Sequence, residues 1–136
     1  MAPDRSPALR PIGVVRSPLT DRAAAPKQGP EGGPDAWLEL DDNLLPALRS
    51  IQTGDRLLLI TWLHHADRDV LEVRPRGNPD NPLTGVFSTR SPDRPNPIGL
   101  HPVTVLAVDG ARLLVSDLEA LDGTPIVDLK AADASG

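Results

Sequence analysis

Residues 85–100 read GVFSTRSPDRPNPIGL, and no other part of the chain crowds together so many chemically constrained residues. Val86 and Phe87 indicate the end of one strand, and Gly99 with Leu100 indicates the start of the next. The three prolines between them fix their own φ angles and hold the preceding residues in extended geometry. The stretch therefore predicts a long, rigid connection between two strands.

Arg90, Arg94 and Asn96 lie within this rigid connection. A rigid backbone loses little conformational entropy when a ligand binds, which suits a preorganised ligand site. Because a guanidinium group pairs with a carboxylate or a phosphate through two parallel hydrogen bonds, the two arginines indicate an anionic partner. The alternative is that both arginines only cap turns and pair with Asp93 and other surface acids.

The strands predicted elsewhere are short and apolar. The best core candidate is residues 56–63, RLLLITWL, a near-continuous apolar run that predicts a central strand buried on both faces. Asp109-Gly110 predicts a type I′ hairpin turn. The other predicted strands lie at residues 12–15, 36–40, 70–74, 103–107, 111–118 and 126–129.

Two further segments have distinct predictions. Asp41 and Asp42 are placed to cap a short helix that carries Leu48 on its inner face. Residues 19–35 are rich in turn formers and offer almost nothing to bury, which is typical of a functional connection such as a binding lid, or of a disordered one.

Length and composition indicate one β-rich domain. The chain has 136 residues, enough for a single core, and its 16 prolines favour strands joined by stiff loops over a helical bundle. We therefore predict a mainly β protein, a small β-barrel with one or two short helices. Its expected parts are a flexible arm at residues 1–9, the barrel domain at 10–130 and a tail at 131–136.

The run at residues 90–100, RSPDRPNPIGL, resembles a motif of the TsaA/TrmO-like family. Similar family segments are PIGVVRSP at 11–18, TWLHHA at 61–66 and LDGTPIVDLK at 121–130. Members of this family are S-adenosylmethionine-dependent methyltransferases that modify N(6)-threonylcarbamoyladenosine beside the tRNA anticodon. The resemblance thus implies S-adenosyl-L-methionine as cofactor and tRNA as substrate.

The resemblance also implies a β-barrel homodimer with the cofactor pocket at the interface between two subunits. The segment PKQGPEGG at residues 26–33 partly matches a PRQPG-like cofactor segment of the family, and His64 is a closer match to the family than His65. The cofactor-binding residues that the resemblance implies are Gln28, Gly29, Pro30, His64, His65, Arg90, Leu100, Ser116, Asp117, Leu118 and Glu119.

Methyl transfer from a sulfonium donor depends mainly on in-line alignment of the reacting atoms. In the family's substrate, the carbamoyl group acidifies the proton on the attacked nitrogen, so a nearby Asp122 or His64 is predicted to accept it. Arg94 and Asn96 are predicted to contact the substrate, with the arginine on the threonyl carboxylate or a phosphate.

Charge and composition count against a tRNA substrate. Lys and Arg number 14 against 19 Asp and Glu, so the net charge is −5 and no global positive field attracts nucleic acid. There is no Tyr, and one Phe and two Trp supply few stacking platforms. Where many family members continue a DIKPY-like motif with tyrosine, this sequence reads DLKAADASG, so we expect RNA contacts made by that region to be missing. The alternatives are a methyltransferase with a smaller acceptor and a non-catalytic module that binds S-adenosylmethionine.

A third alternative is metal-dependent hydrolysis at His64, His65, Asp67 and Asp69. Adjacent histidines on a strand point to opposite faces, however, so we expect no metal. The absence of cysteine, of a signal peptide and of an 18-residue apolar stretch predicts a soluble cytoplasmic protein without membrane contact.

Overall fold

The computed structural model describes residues 6–133, and six of its strands close into a barrel. The barrel strands are β1 (Gly13–Arg16), β2 (Ala36–Leu40), β3 (Arg56–Trp62), β6 (Ile98–Asp109), β7 (Arg112–Val115) and β8 (Pro125–Ala131). They follow the ring order β1-β2-β7-β6-β3-β8, and each neighbouring pair is antiparallel. This confirms the predicted mainly β fold.

A small insertion lies between β3 and β6. Its two strands, β4 (Glu72–Val73) and β5 (Thr84–Gly85), pair with each other as a separate sheet. The helical structure consists of 3₁₀ turns at Arg22–Ala24, Gly29–Glu31, Asp42–Leu48, Pro75–Gly77 and Val86–Ser88. Among residues 6–133, no helix has the length and apolar character that crossing a membrane requires.

The barrel interior is filled by apolar side chains from every strand of the ring. Each such Val, Leu or Ile contributes about 1.5–3 kcal/mol by its removal from water. The fully buried ones are Val15, Leu38, Leu59, Val105, Leu113, Val115, Leu118 and Ile126.

The prediction that β3 is buried on both faces is wrong. Leu57, Leu59 and Thr61 are buried, whereas Leu58 and Ile60 between them are only partly covered. The physical reason is the closed ring, because a strand in a barrel has one face toward the packed interior and one face outward. The apolar outer residues of β3 instead form part of a surface beside the cleft described below.

The hairpin between β6 and β7 is present, but its turn differs from the predicted one. Asp109 pairs with Arg112, so the two central residues are Gly110 and Ala111. Gly110 has a φ of 57°, and Ala111 has no positive φ. A type I′ turn requires positive φ at both central positions, so this turn is not type I′.

Two predicted strand boundaries are also wrong. Of residues 70–74, only Glu72 and Val73 are extended and paired. Val86 and Phe87 belong to a 3₁₀ turn instead of ending a strand, because the Val86 carbonyl accepts hydrogen bonds from Thr89 and Arg94. These local bonds occupy a carbonyl that would otherwise be available to a neighbouring strand.

The predicted helix after β2 is a 3₁₀ helix, Asp42–Leu48. Leu48 is buried as expected, but the Asp41 side chain makes no capping hydrogen bond. Residues 6–9 of the predicted arm are exposed without regular structure, and residues 1–5 and 134–136 lie outside the described part of the chain. β8 ends at Ala131, the first residue of the predicted tail.

The connection at residues 19–35 packs against the barrel. The Leu118 N–H donates to the Pro34 carbonyl at 2.9 Å. Gly29 and Gly33 lie so close to the Asp117–Leu118 backbone that a Cβ at either position would overlap it. Glycine at these two positions therefore lets the connection form one wall of a cleft.

Candidate functional site

A cleft of about 1330 Å³ lies where the 19–35 connection, the end of β3, the insertion and the proline-rich loop meet the start of β6. Ten of the predicted site residues line it: Gln28, Gly29, Pro30, His64, His65, Arg90, Arg94, Asn96, Leu100 and Glu119. Segments that are distant in sequence are thus gathered around one space.

Four predicted site residues do not line the cleft. Leu118 is fully buried in the barrel core, and Asp117 lies behind the connection with a φ of 50°. The Ser116 hydroxyl accepts a hydrogen bond from a backbone N–H of β6. The Asp122 carboxylate accepts one from the Ser17 N–H at 3.1 Å. Of these four, Asp117 and Leu118 lie against the connection that forms one wall of the cleft.

The cleft is strongly basic although the chain is acidic. Six basic side chains and two carboxylates line it, which leaves four positive charges in a protein of net charge −5. The basic residues are Arg22, Lys27, Arg74, Arg76, Arg90 and Arg94, and the acids are Asp93 and Glu119. A concave surface of one charge sign focuses its field, so the cleft attracts anions despite the net charge.

Several of these cations already have partners. Arg22 pairs with Asp93 at 2.7 Å, Arg76 pairs with Glu31, and Arg74 donates to a backbone carbonyl. Burial raises the pKa of Asp93, but hydrogen bonds from Arg22 and a backbone N–H outweigh burial and lower the pKa overall. Within residues 6–133, Arg90 makes no hydrogen bond or ion pair, so its guanidinium is available to a ligand.

The Arg94 side chain is hydrogen-bonded within its own loop. Its guanidinium donates to the carbonyls of Val86, Thr89 and Ser91 at 2.9–3.1 Å. Three bonds from one planar group tie the loop into a fixed shape, which adds to the stiffness that the prolines supply. The structure therefore gives Arg94 a positioning role toward Arg90.

Asn96 is also engaged within the protein. Its side-chain oxygen accepts a hydrogen bond from Arg68 at 3.1 Å, and Arg68 also donates to the Pro95 carbonyl at 2.7 Å. The same guanidinium lies 5.1 Å from the centre of the Trp62 ring, within the range of a cation–π contact. These contacts anchor the far end of the loop to the end of β3.

His64 and His65 lie at the mouth of the cleft with their ring centres 4.0 Å apart. Burial, followed by repulsion from His65, lowers the pKa of His64 below its ordinary value. A neutral imidazole is the form that accepts a proton. In the described residues no three potential ligands gather around a common point, so Asp67 and Asp69 do not complete a metal-ligand set with the two imidazoles.

The sequence analysis missed a buried network of three hydrogen-bonded side chains at the base of the cleft. His101 Nε2 lies 2.7 Å from the Thr61 hydroxyl, and His101 Nδ1 lies 2.5 Å from Glu119 Oε1. Thr61 is fully buried, and His101 is 3% exposed. The available signal was the alternation of β6, which places His101 on the inward face beside the apolar Val103.

Gly99 makes this chain of hydrogen bonds possible. A Cβ at that position would lie 2.6 Å from both His101 Nε2 and Thr61 Oγ1. Such separations are shorter than real Cβ contacts, so any side chain there would displace the pair. The glycine of the proline-rich motif is therefore explained by packing.

Phe87 stands at the edge of the cleft with 81% of its surface exposed. It is the single phenylalanine of the chain. An exposed aromatic ring in a cleft that also holds an unpaired arginine can stack on a nucleobase while the cation meets a phosphate.

The residues of the cleft fit an S-adenosylmethionine-like ligand. Ile98, Leu100 and Pro102 offer an apolar surface. Glu119 is a hydrogen-bond acceptor for an ammonium or hydroxyl group.

The fold and the site together define an all-β domain with a basic ligand cleft. The family model described as the tRNA-methyltransferase O N-terminal domain matches residues 14–132. A probable S-adenosyl-L-methionine-binding protein of Methanothermobacter thermautotrophicus is 43% identical over 90% of this chain and 87% of its own length. An S-adenosyl-L-methionine-binding protein of Archaeoglobus fulgidus is 42% identical over 90% of this chain and 86% of its own length.

Solved structures agree with this match. A crystal structure of TrmO is similar with a TM-score of 0.74 at 30% identity, over 96% of this chain and 62% of that one. TrmO from Pseudomonas aeruginosa is similar with a TM-score of 0.73, also at 30% identity, over 98% of this chain and 60% of that one. This chain thus spans about three fifths of the solved TrmO chains. It belongs to the tRNA-methyltransferase O family, through the family's N-terminal domain.

The lowered pKa of His64 can be measured by NMR titration of the imidazole protons. We expect His64 to titrate below the ordinary value near 6.5, because burial and His65 both disfavour its charged form. His65→Ala should raise the pKa of His64 only partly, since burial is the larger cause and remains. A His64 pKa at or above 6.5 in the native protein would contradict the described packing.

Proposed function

We propose that this protein transfers a methyl group from S-adenosylmethionine to N(6)-threonylcarbamoyladenosine in tRNA. The observation that carries the proposal is the basic cleft, whose four excess positive charges suit an anionic substrate in an otherwise acidic chain. The family match and the S-adenosylmethionine-binding relatives support the same assignment.

We assign the donor to the part of the cleft formed by Gln28, Gly29, Pro30, Leu100 and Glu119. When bound, S-adenosylmethionine supplies an electrophilic methyl group on a positively charged sulfur. The protein's task is then to hold the acceptor nitrogen in line with that methyl group, and fixed walls supply much of the rate increase by proximity.

We assign the acceptor to the part formed by the proline-rich loop. Arg90, which the resemblance implies as a cofactor-binding residue, is reassigned in this proposal: its free guanidinium is placed to meet the threonyl carboxylate or a phosphate. Phe87 offers a ring for stacking. Arg94 and Asn96, which the sequence analysis assigned to substrate contact, hold the loop that presents both groups.

His64 is our candidate for the proton acceptor. It lines the cleft, and its lowered pKa keeps it neutral near pH 7. Asp122, the other candidate, does not line the cleft and accepts the Ser17 N–H instead.

We further propose that the protein is a homodimer. Three cross-strand pairs form an apolar outer face on β3 and β6, namely Leu58 with Pro102, Ile60 with Leu100 and Trp62 with Ile98. Ile98 and Leu100 are each 42% exposed, and the β6 members of all three pairs also line the cleft. A second copy packed on this face would cover apolar surface and close the cleft at once.

Light scattering tests the dimer. The wild-type particle should have twice the 14.5 kDa mass of the chain at micromolar concentration. Ile60→Lys should shift the population to monomer, because it places a charge in the apolar interface. Leu106→Lys is the matched control, since Leu106 lies on β6 outside the three pairs. A wild-type mass of one chain would refute the dimer.

Methyl transfer tests the proposed reaction. Threonylcarbamoylated tRNA incubated with S-adenosylmethionine at low salt should yield the methylated nucleoside by mass spectrometry. Arg90→Ala should reduce the yield at least about tenfold, the effect of losing one charge-assisted contact. Arg16→Ala removes an equal charge at an exposed position outside the cleft and should leave the yield unchanged.

Two outcomes would contradict this assignment. If the wild-type protein binds S-adenosylmethionine but methylates no tRNA, the tRNA proposal fails and a smaller acceptor takes its place. Equal losses in Arg90→Ala and Arg16→Ala would show that general charge, and no defined contact, supports the reaction.

A further inference from the structure

Thr61 and His101 are hydrogen-bonded in series to Glu119, which lies in the donor part of the cleft. We propose that the Glu119 carboxylate binds the ammonium group of the methyl donor, and that His101 and Thr61 are positioning residues that hold this carboxylate in place. The inference rests on the donor part of the proposed function and is independent of the acceptor.

The burial of the three side chains is graded from the core to the cleft. Thr61 is fully buried, the His101 side chain is 4% exposed, and the Glu119 side chain is 17% exposed and lines the cleft. His101 also lines the cleft, but its side chain is almost fully buried and both of its ring nitrogens are hydrogen-bonded, so the Glu119 carboxylate is the more exposed group. The other two groups act through it.

The hydrogen bonds fix the orientation of the carboxylate. An ionised carboxylate only accepts, so His101 Nδ1 carries the proton that it donates to Glu119 Oε1 over 2.5 Å. In the neutral imidazole, Nε2 then accepts the Thr61 hydroxyl hydrogen over 2.7 Å. Because Thr61 belongs to β3 and His101 to β6, two paired barrel strands hold the ring.

Glu119 lacks a strong cationic partner. Within residues 6–133, the Glu119 carboxylate contacts the His101 ring, and no lysine or arginine forms an ion pair with it. The other carboxylate of the cleft, Asp93, is already paired with Arg22. A partly buried carboxylate with a free oxygen is stabilised by a cation that also donates hydrogen bonds, which describes an ammonium group.

The free oxygen of Glu119 faces the wall formed by the connection. A Cβ built on Gly29 would lie 2.9 Å from Glu119 Oε2, so only a glycine lets the connection approach that atom this closely. Glu119 would repel the anionic substrate proposed above, whereas the donor carries an ammonium group. Charge thus divides the cleft into a donor end at Glu119 and an acceptor end at Arg90.

Calorimetry with two neutral-sulfur ligands tests the assignment to the ammonium group. S-Adenosylhomocysteine keeps the amino-acid moiety of the donor, and 5′-methylthioadenosine lacks it. Glu119→Gln should weaken S-adenosylhomocysteine binding about tenfold to a hundredfold, the effect of one hydrogen bond between charged groups. Binding of 5′-methylthioadenosine should change less than about twofold.

Paired variants test the positioning residues. Thr61→Val removes the hydroxyl group at nearly equal volume and should weaken S-adenosylhomocysteine about fivefold while sparing 5′-methylthioadenosine. Thr61→Ser retains the hydroxyl group and should restore the affinity. His101→Leu should resemble Glu119→Gln, and His101→Asn, which keeps a donor near the position of Nδ1, should recover part of the loss. Circular dichroism and thermal unfolding establish that each compared variant is folded.

Three results would overturn the inference. Equal losses for both ligands in Glu119→Gln would place Glu119 on the ribose or another shared group. Unchanged binding in folded Thr61→Val and His101→Leu would remove the positioning role. Absence of S-adenosylhomocysteine binding by the wild-type protein would overturn the donor assignment as well, whereas failed tRNA methylation with normal binding would affect only the acceptor.

Discussion

The structure depends on β3, which is hydrogen-bonded to β6 on one side and to β8 on the other. Its inward residues Leu57 and Leu59 fill the barrel, and its next inward residue, Thr61, begins the polar chain that reaches Glu119. The strand then ends at Trp62, and His64 follows at the mouth of the cleft. One strand thus joins the barrel core to the site, so displacement of β3 would disturb both.

The second organising feature is the separation of charge. The net charge of the whole sequence is −5, and taken alone this value would argue against a nucleic-acid partner. The fold gathers six basic side chains around one cleft, where they act together over short distances. Most of them are used to build the walls, as Arg94 is in its own loop. Among the described residues, Arg90 and Lys27 make no hydrogen bond and remain for a ligand.

Much of the fold was predictable from the sequence, because alternating apolar strands and turn residues specify local structure. The strands at residues 36–40 and 126–129 were found in this way, and the proline-rich loop marked one side of the site. The burial of β3 was misjudged because an apolar run cannot show whether a strand lies between two layers or in a single closed ring.

The network at the base of the cleft was not predictable, because it joins residues 40 and 18 positions apart. Only the pairing of β3 with β6 brings Thr61 to His101. The need for glycine at position 99 was not predictable either, because one of the atoms that excludes a side chain there belongs to another strand. The three hydrogen bonds of Arg94 were also not predictable, because its acceptors are backbone carbonyls.

The central claim is that the cleft beside the proline-rich loop binds the methyl donor. A titration with S-adenosylhomocysteine, followed by amide NMR shifts, tests it directly. The account predicts the largest changes at Gly29, Gly99, Leu100 and Glu119. It would be contradicted if the changes fell instead on the second groove, which is lined by Leu45, Leu48 and Val108 and has a volume of about 450 Å³.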